Sequence, residues 1–505
     1  MPKKSDRKQE PPATDSITQP SFGQFILTKE NKYFLFLGLG IGFLFFIALQ
    51  FLFPIPVFCS DTNSYVIAAI QNYPIGNRPV GYSEFISFFH DINHSTTLLV
   101  LSQYLSNLLA NLFLFFSVTF FLPLKRGFKI ILFVLLLCNP LYVLYSNYIL
   151  TDAFFCSLTV AWFTSVLWII YRPHFIWVLL QVIFLFLAFK IRYHALFYPA
   201  ITILAFIVSK QALWKKLVGI AATVTMLYFV VEHILNETEK VTDVRTFSAF
   251  GGWELGNNAL HIVKYEYIDP RIFDNEEALE FYNYSYDYFS HARKDTVDEE
   301  LKATSEYLWD TTKPLRSYLN YYAYKHRNNY GFDFYFHVWT ALGPLYSDFG
   351  TKVIEHNPVF YIKYFVWPNV KAYCNPYMEA FNATYQGSDT IPAFIADYYG
   401  YTTKKMSFNH ETFFKAMMKP QKWLYMITNA AFVVLLIAFV VTGRIKMKPD
   451  FFDWQLYFFT AFYVGNFLFI VLLVPTVFRY HIAVITLSVV YILYLLQLFL
   501  NRQKT

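Results

Sequence analysis

Apolar residues fill long stretches of this chain without the three-to-four spacing of a surface helix. Tyr33 to Phe53, Leu98 to Leu122 and Ala430 to Val441 contain almost no charge. A helix crosses the ~30 Å hydrocarbon core of a bilayer with ~20 mostly apolar residues. Runs that are hydrophobic around the whole helix circumference therefore predict transmembrane segments. The pattern places them at 33–55, 96–122, 128–146, 150–171, 174–190, 195–209, 215–234, 423–442, 453–474 and 480–499, about ten in all. The two shortest, 174–190 and 195–209, are separated only by Ile191, Arg192, Tyr193 and His194.

Polar positions interrupt this pattern in three places. Residues 1–32 hold Pro11, Pro12 and clustered charges and predict a flexible cytoplasmic tail. The first external loop, 56–95, contains two amphipathic stretches, Thr62 to Asn72 and Gly81 to His90, which predict helices lying in the interface plane. The stretch 235–422 is large enough for a domain. Within it Asp274 to Lys294 and Thr296 to Thr311 begin with acidic residues and repeat apolar ones every three to four, so they predict helices. Alternating strand patterns are scarce. The expected architecture is an all-α polytopic membrane protein. A transmembrane core over 33–234 follows the tail, then a mainly helical extracytoplasmic domain over 235–422, then the last transmembrane helices over 423–505.

Charge orients this scheme. With the N-terminus inside, the cytoplasmic segments hold Lys3, Lys4, Arg7 and Lys8; Lys125 and Arg126; Arg172; Lys210, Lys215 and Lys216; Arg444, Lys446 and Lys448; and Arg502 and Lys504. Every one is basic, as the positive-inside rule requires, and both termini come out cytoplasmic. Removing either short helix would place the later lysines outside, so charge supports ten spans. The composition agrees: 56% of the 505 residues are hydrophobic and 15% charged, where soluble domains carry roughly 25% charged residues. A soluble enzyme, a disordered scaffold and a nucleic-acid binder are excluded. Lys and Arg number 41 against 35 Asp and Glu, a net charge of +6. Four cysteines suggest no disulfide framework. The polar start has no cleavable signal peptide, so the first apolar segment is expected to stay as an anchor. No fixed-period repeat is present, which weighs against an inverted-repeat transporter. Asn93, Asn236, Asn283 and Asn382 each open an N-x-S/T triplet on the outer side.

Candidate chemistry collects at that outer level. Asp61 follows the first transmembrane segment, and Asp152 opens the fourth after a tight reversal. Acids at the edge of the hydrocarbon are costly and tend to be functional. Partial burial would raise their basicity and suit them to general-base work. Two readings stay open for each, a helix cap or a catalytic carboxylate, and one residue can do both. Arg78, then Lys190, Arg192 and His194, then Arg479 and His481 lie at the same level. Snorkelling anchors are common there. Arginines converging beside two carboxylates instead suggest an anion site, because guanidinium presents a fork of donors to phosphate oxygens. In the external stretch, Phe250-Gly-Gly-Trp253-Glu254-Leu-Gly-Asn257-Asn258 reads as a glycine-rich turn with an exposed-type Trp that could stack on a sugar. A capped turn before a helix from Asn257 is the simpler reading. Glu379 and the tyrosine-rich run from Tyr318 to Tyr335 offer only weaker leads.

These residues resemble the GT-C superfamily of polytopic glycosyltransferases, which includes protein O-mannosyltransferases and the aminoarabinose transferases of lipid A. The resemblance lies in Asp61 directly after the first helix, Tyr65 four positions on and the R-P-x-G-Y segment from Arg78 to Tyr82. It continues in Asp152 opening the fourth helix, Arg479-Tyr480 at the start of a late helix and the external domain. It covers roughly 1–235 well and the remainder in outline. It implies that Asp61 deprotonates an acceptor hydroxyl and that Asp152 helps position acceptor or sugar. Arg78, Arg192 and Arg479 would hold the donor phosphate, and Tyr65, Tyr82, His194, Tyr480 and Trp253 would position substrate. The protein O-mannosyltransferases carry an adjacent Asp-Glu pair where this chain has Asp61-Thr62, which argues against that subfamily and against mannose and a protein acceptor in particular. Only two well-placed acids are visible, so transfer without a metal or other cofactor is expected.

The resulting expectation is an inverting glycosyltransferase moving a monosaccharide from a polyprenyl-phosphate donor to a glycan, lipid or protein acceptor. It would work at the extracytoplasmic face of a membrane, with a bacterial inner membrane favoured. A lipid-linked glycan polymerase or ligase, a transporter or lipid flippase, and an inactive assembly subunit are the alternatives.

Overall fold

The computed structural model describes residues 20–291, 306–326, 334–378, 389–405, 411–446 and 449–502. Most of the expected tail, Glu379, Asn382, most of Thr296 to Thr311 and part of the tyrosine-rich run lie outside these residues. The described chain is helical. No strand occurs in it, only isolated bridges pairing Val57 with Tyr148 and Thr390 with Lys405.

The membrane-proximal half begins with α1 (Lys29–Leu52), followed by the loop helices α2 (Ser60–Gln71) and α3 (Gly81–Ile92). Next come α4 (Thr96–Phe121), α5 (Arg126–Leu137), α6 (Pro140–Ser146), α7 (Thr151–Tyr171), α8 (Phe175–Ile191), α9 (Tyr198–Val208) and α10 (Leu213–Thr242). The polar stretch supplies α11 (Gly251–Val263), α12 (Glu276–His291), α13 (Pro314–Lys325), α14 (Phe334–His356) and α15 (Trp367–Cys374). The chain closes with α16 (Glu411–Val441), α17 (Phe451–Leu473) and α18 (Ile482–Arg502).

Eight of the described helical segments are long and apolar enough to cross a membrane, consistent with an all-α multi-pass membrane protein. The two remaining expected spans form shorter apolar helices, Phe175–Ile191 and Tyr193–Val208. The second begins with a 3₁₀ turn, Tyr193–Phe197, before Pro199 takes an early position in α9. The expected helix over 128–146 divides at Asn139, whose side chain accepts from the Leu141 backbone N–H at 3.0 Å and caps α6, with Pro140 as its first residue.

Burial separates centre from rim. Helix α7 is apolar all round and 94% of its membrane-length window is buried, whereas the figure for α10 is 11%. Helix α7 therefore sits at the middle, packed by α4, α8, α9 and α18. Its Ser157, Thr164 and Ser165 hydroxyls donate to carbonyls four residues back, so these three are satisfied within the helix itself. Helix α10 exposes Leu213, Trp214, Leu217 and Phe229, a face suited to lipid.

The polar stretch divides in two. Residues from Ala249 to Val353 build a hydrophobic core of their own around Trp253, Phe281, Tyr318, Trp339 and Tyr346. Tyr373, Ile391, Ile395 and Tyr399 instead join the core of the bundle. Helices α11 and α14 form the closest pair in the polar domain. They touch at Gly252, where an added Cβ would lie 1.8 Å from the Gly343 carbonyl oxygen. All four cysteines are free thiols.

Candidate functional site

The loop after α1 is fastened to the reversal before α7. The Val57 N–H donates to the Asn147 carbonyl at 3.0 Å, and the Ile149 N–H returns to the Val57 carbonyl at 3.1 Å. Thr62 adds a second fastening. Its hydroxyl accepts from the Cys59 N–H at 2.8 Å and donates to the Ile149 carbonyl at 3.0 Å, fully buried. These bonds bring Asp61 and Asp152, the acids that open α2 and α7, to one level.

Neither acid caps its helix. Cys59 is the N-cap of α2 with Thr62 completing the cap, and Leu150 precedes α7 with no side-chain cap bond. Both aspartates lie in the first turn, where a negative charge suits the helix dipole. Their carboxylates face arginines instead. Asp61 Oδ1 accepts from Arg78 Nη2 at 2.8 Å, and Oδ2 accepts from Arg479 Nη2 at 3.1 Å. Asp152 Oδ1 lies 2.9 Å from Arg192 Nη1, and Oδ2 lies 3.7 Å from Arg479 Nη1. Arg479 thus joins the two acids. Three guanidiniums against two carboxylates leave one positive charge in excess. Burial alone would raise the Asp61 carboxyl, but the charges of Arg78 and Arg479 outweigh it and hold the group well below the usual carboxylate range.

A cavity of about 1260 Å³ opens over this cluster, between the bundle and the polar domain. That exceeds the roughly 300–1,000 Å³ typical of a small-molecule site. Asp61, Arg78, Arg479 and Tyr480 line it from the bundle side. Asp152, Arg192 and His194 stand behind, around a small recess that Arg479 and Tyr480 share. The Arg192 guanidinium lies 4.9 Å from the Tyr480 ring centre. His194 Nε2 pairs with Asn466 Oδ1 at 2.8 Å.

Besides His194, three expected positioning residues do not line the cavity. Tyr65 is buried beneath the loop with its ring 5.7 Å from the Arg78 guanidinium, so it supports that arginine. The Tyr82 hydroxyl donates to Gln103 Oε1 at 2.7 Å, and Gln103 Nε2 in turn donates to the Ser146 carbonyl at 2.8 Å; this buried chain braces the loop from below. Trp253 is not the exposed ring its glycine-rich surroundings suggested. It is fully buried inside α11, stacked on Trp339 at 3.7 Å between ring centres, and its Nε1 donates to the Trp339 carbonyl at 3.0 Å. Two of the glycines that suggested a turn, Gly252 and Gly256, serve the close contact of α11 with α14.

The polar domain nevertheless supplies the opposite wall, through Phe250, Glu254, Trp309, Arg316, Tyr335 and Trp339. Of these, Phe250 and Glu254 fall in the glycine-rich segment and Tyr335 ends the tyrosine-rich run, whereas Trp309, Arg316 and Trp339 stood in no local motif. Burial pushes the Glu254 carboxyl up to about 8, against a smaller opposing pull from Arg78. Arg78 crosses the cavity mouth: its guanidinium also lies 5.5 Å from the Trp309 ring centre. Among the described residues, no group of three or more His, Cys, Asp or Glu side chains is placed to hold a metal ion.

Compared with family models, curated proteins and solved structures, the chain matches none of them.

Proposed function

We propose that the protein is an inverting glycosyltransferase of the membrane, moving a monosaccharide from a polyprenyl-phosphate donor to an acceptor hydroxyl. The observation that carries this reading is the pair of carboxylates interleaved with three arginines on the floor of the cavity. Excess positive charge beside an apolar bundle suits a lipid-linked phosphate, and guanidinium forks match its oxygens. In this reading the cluster faces the extracytoplasmic side of a bacterial inner membrane, with ten spans that count the two short apolar helices; the basic segments between the spans support that orientation.

Asp61 at rest is a poor base, since both of its oxygens are bonded to guanidinium. Donor phosphate would draw Arg78 and Arg479 toward itself and release the carboxylate. Asp61 would then take the acceptor proton as the acceptor oxygen bonds to the anomeric carbon from the face opposite the phosphate. The bond from that carbon to the phosphate oxygen breaks, and its electron pair leaves on polyprenyl phosphate, held by the arginines. Base release and phosphate binding are thereby coupled.

The test is mass spectrometry of envelope lipids, polysaccharides and proteins from a deletion strain complemented with the native gene or with Asp61→Asn. A sugar lost in the deletion should return with the native chain and stay missing with an equally expressed Asp61→Asn. A general base contributes roughly 10²–10⁴-fold to rate, so turnover should fall by about that factor. Full restoration by Asp61→Asn would remove Asp61 from the chemistry and with it this mechanism.

A further inference from the structure

The wall of the cavity facing Asp61 belongs to the polar domain and has chemistry of its own. Phe250 stacks between two tryptophans, 5.6 Å from Trp309 at 22° and 6.1 Å from Trp339 at 3°. Trp309 and Tyr335 are each about half exposed, at 48% and 51%. Cations flank the row. Arg78 lies over Trp309, and Arg316 lies 5.2 Å from the Trp339 ring centre and donates to the Tyr335 hydroxyl. Glu254 lines the same wall, and its Oε2 is buried without a hydrogen-bond partner among the described residues.

We infer that this wall is a saccharide-binding shelf, and that the acceptor of the proposed transfer is a carbohydrate whose ring lies on Trp309 with its hydroxyls bonded by Glu254 and Arg316. Aromatic faces carry negative charge density that attracts the polarised C–H bonds of a pyranose. A carboxyl and a guanidinium at the ring edge supply acceptors and donors for vicinal hydroxyls. An apolar chain would leave the buried Glu254 Oε2 without a partner, a costly arrangement in a partly dried cavity. The cavity volume leaves room for a donor head group on the floor and a sugar on the shelf at once.

The word acceptor rests on the transferase reading; the binding does not, and it is tested without turnover. The full chain in detergent is titrated with maltotriose, chitotriose and mannotriose, followed by saturation-transfer NMR and tryptophan fluorescence. At least one trisaccharide should bind saturably. Trp309→Ala, at a half-exposed position whose loss leaves the unfolding temperature near the native one, should weaken it about tenfold, the scale of one lost ring contact. Glu254→Ala should weaken it as well, whereas Leu217→Ala, on the exposed face of α10, should bind as the native chain does. Binding by the native chain together with unchanged envelope glycans in the deletion strain would sink the transferase and leave the shelf standing. Failure of all three sugars to bind, or native-like binding by Trp309→Ala, overturns the shelf.

Discussion

A single hydroxyl at position 62 holds two backbone groups that would otherwise be buried alone. Thr62 directly follows Asp61, and its hydroxyl bonds both the Cys59 N–H and the Ile149 carbonyl. Glutamate there could not donate to that carbonyl when ionised. Thr62→Val keeps the shape and removes both bonds, and unpaired buried groups cost about 1–3 kcal/mol each. A clear fall in unfolding temperature is expected, measured in detergent with the native chain alongside. Glu254 makes the opposite kind of contribution. Its carboxyl sits at about 8 when folded, against about 4.3 when unfolded. Between those values the folded chain keeps a proton the unfolded chain gives up, so stability falls as pH rises through the window. Glu254→Gln removes that penalty. Its advantage in unfolding temperature should be small near pH 4 and largest near pH 8; an advantage independent of pH would show that Glu254 is not held protonated.

At the scale of elements, the R-P-x-G-Y segment has a steric explanation. An added Cβ at Gly81 would lie 2.6 Å from the Lys190 carbonyl oxygen, so α3 rests directly on the end of α8. Gly81→Ala should push these helices apart and shift Arg78, three residues earlier. The expected result is retained membrane insertion with weaker pyrophosphate binding, read by calorimetry on both proteins. The helices themselves were legible because hydrocarbon demands continuous apolar length, and such runs are visible in one dimension. The level of Asp61 and Asp152 was legible for the same reason, since each follows a span boundary. Their partners were legible as a set, Arg78, Arg192 and Arg479 at the same level, but which guanidinium meets which carboxylate was not. The cap reading left open for Asp61 belongs to Cys59 and Thr62, and the pairing depends on elements far apart in sequence. Reading Trp253 as an exposed-type ring failed for a related reason: it turns inward onto Trp339, 86 residues away.

At the scale of the whole molecule, two cores meet across one cavity, and Arg78 touches both sides of it, through Asp61 and through Trp309. Arg78→Lys keeps the charge but gives up the planar fork and the ring contact. It should raise the KM for donor more than it lowers kcat, and it should loosen the polar domain against the bundle, seen as faster hydrogen exchange in α11.

The cluster also has an order of assembly written into it. Arg78 is 17 residues from Asp61, but Arg479 is 418 residues away. During synthesis the first acids and arginines can pair one to one, Asp61 with Arg78 and Asp152 with Arg192, as two neutral couples. The excess charge arrives only with Arg479, between α17 and α18. A nascent chain therefore presents no electrostatic trap for the phosphates crowding the membrane surface, and a chain interrupted before Phe451 should insert yet bind no pyrophosphate. Under the proposed transfer, affinity for the donor would be acquired in the last step of biosynthesis, and a half-made protein would neither sequester nor squander an activated lipid.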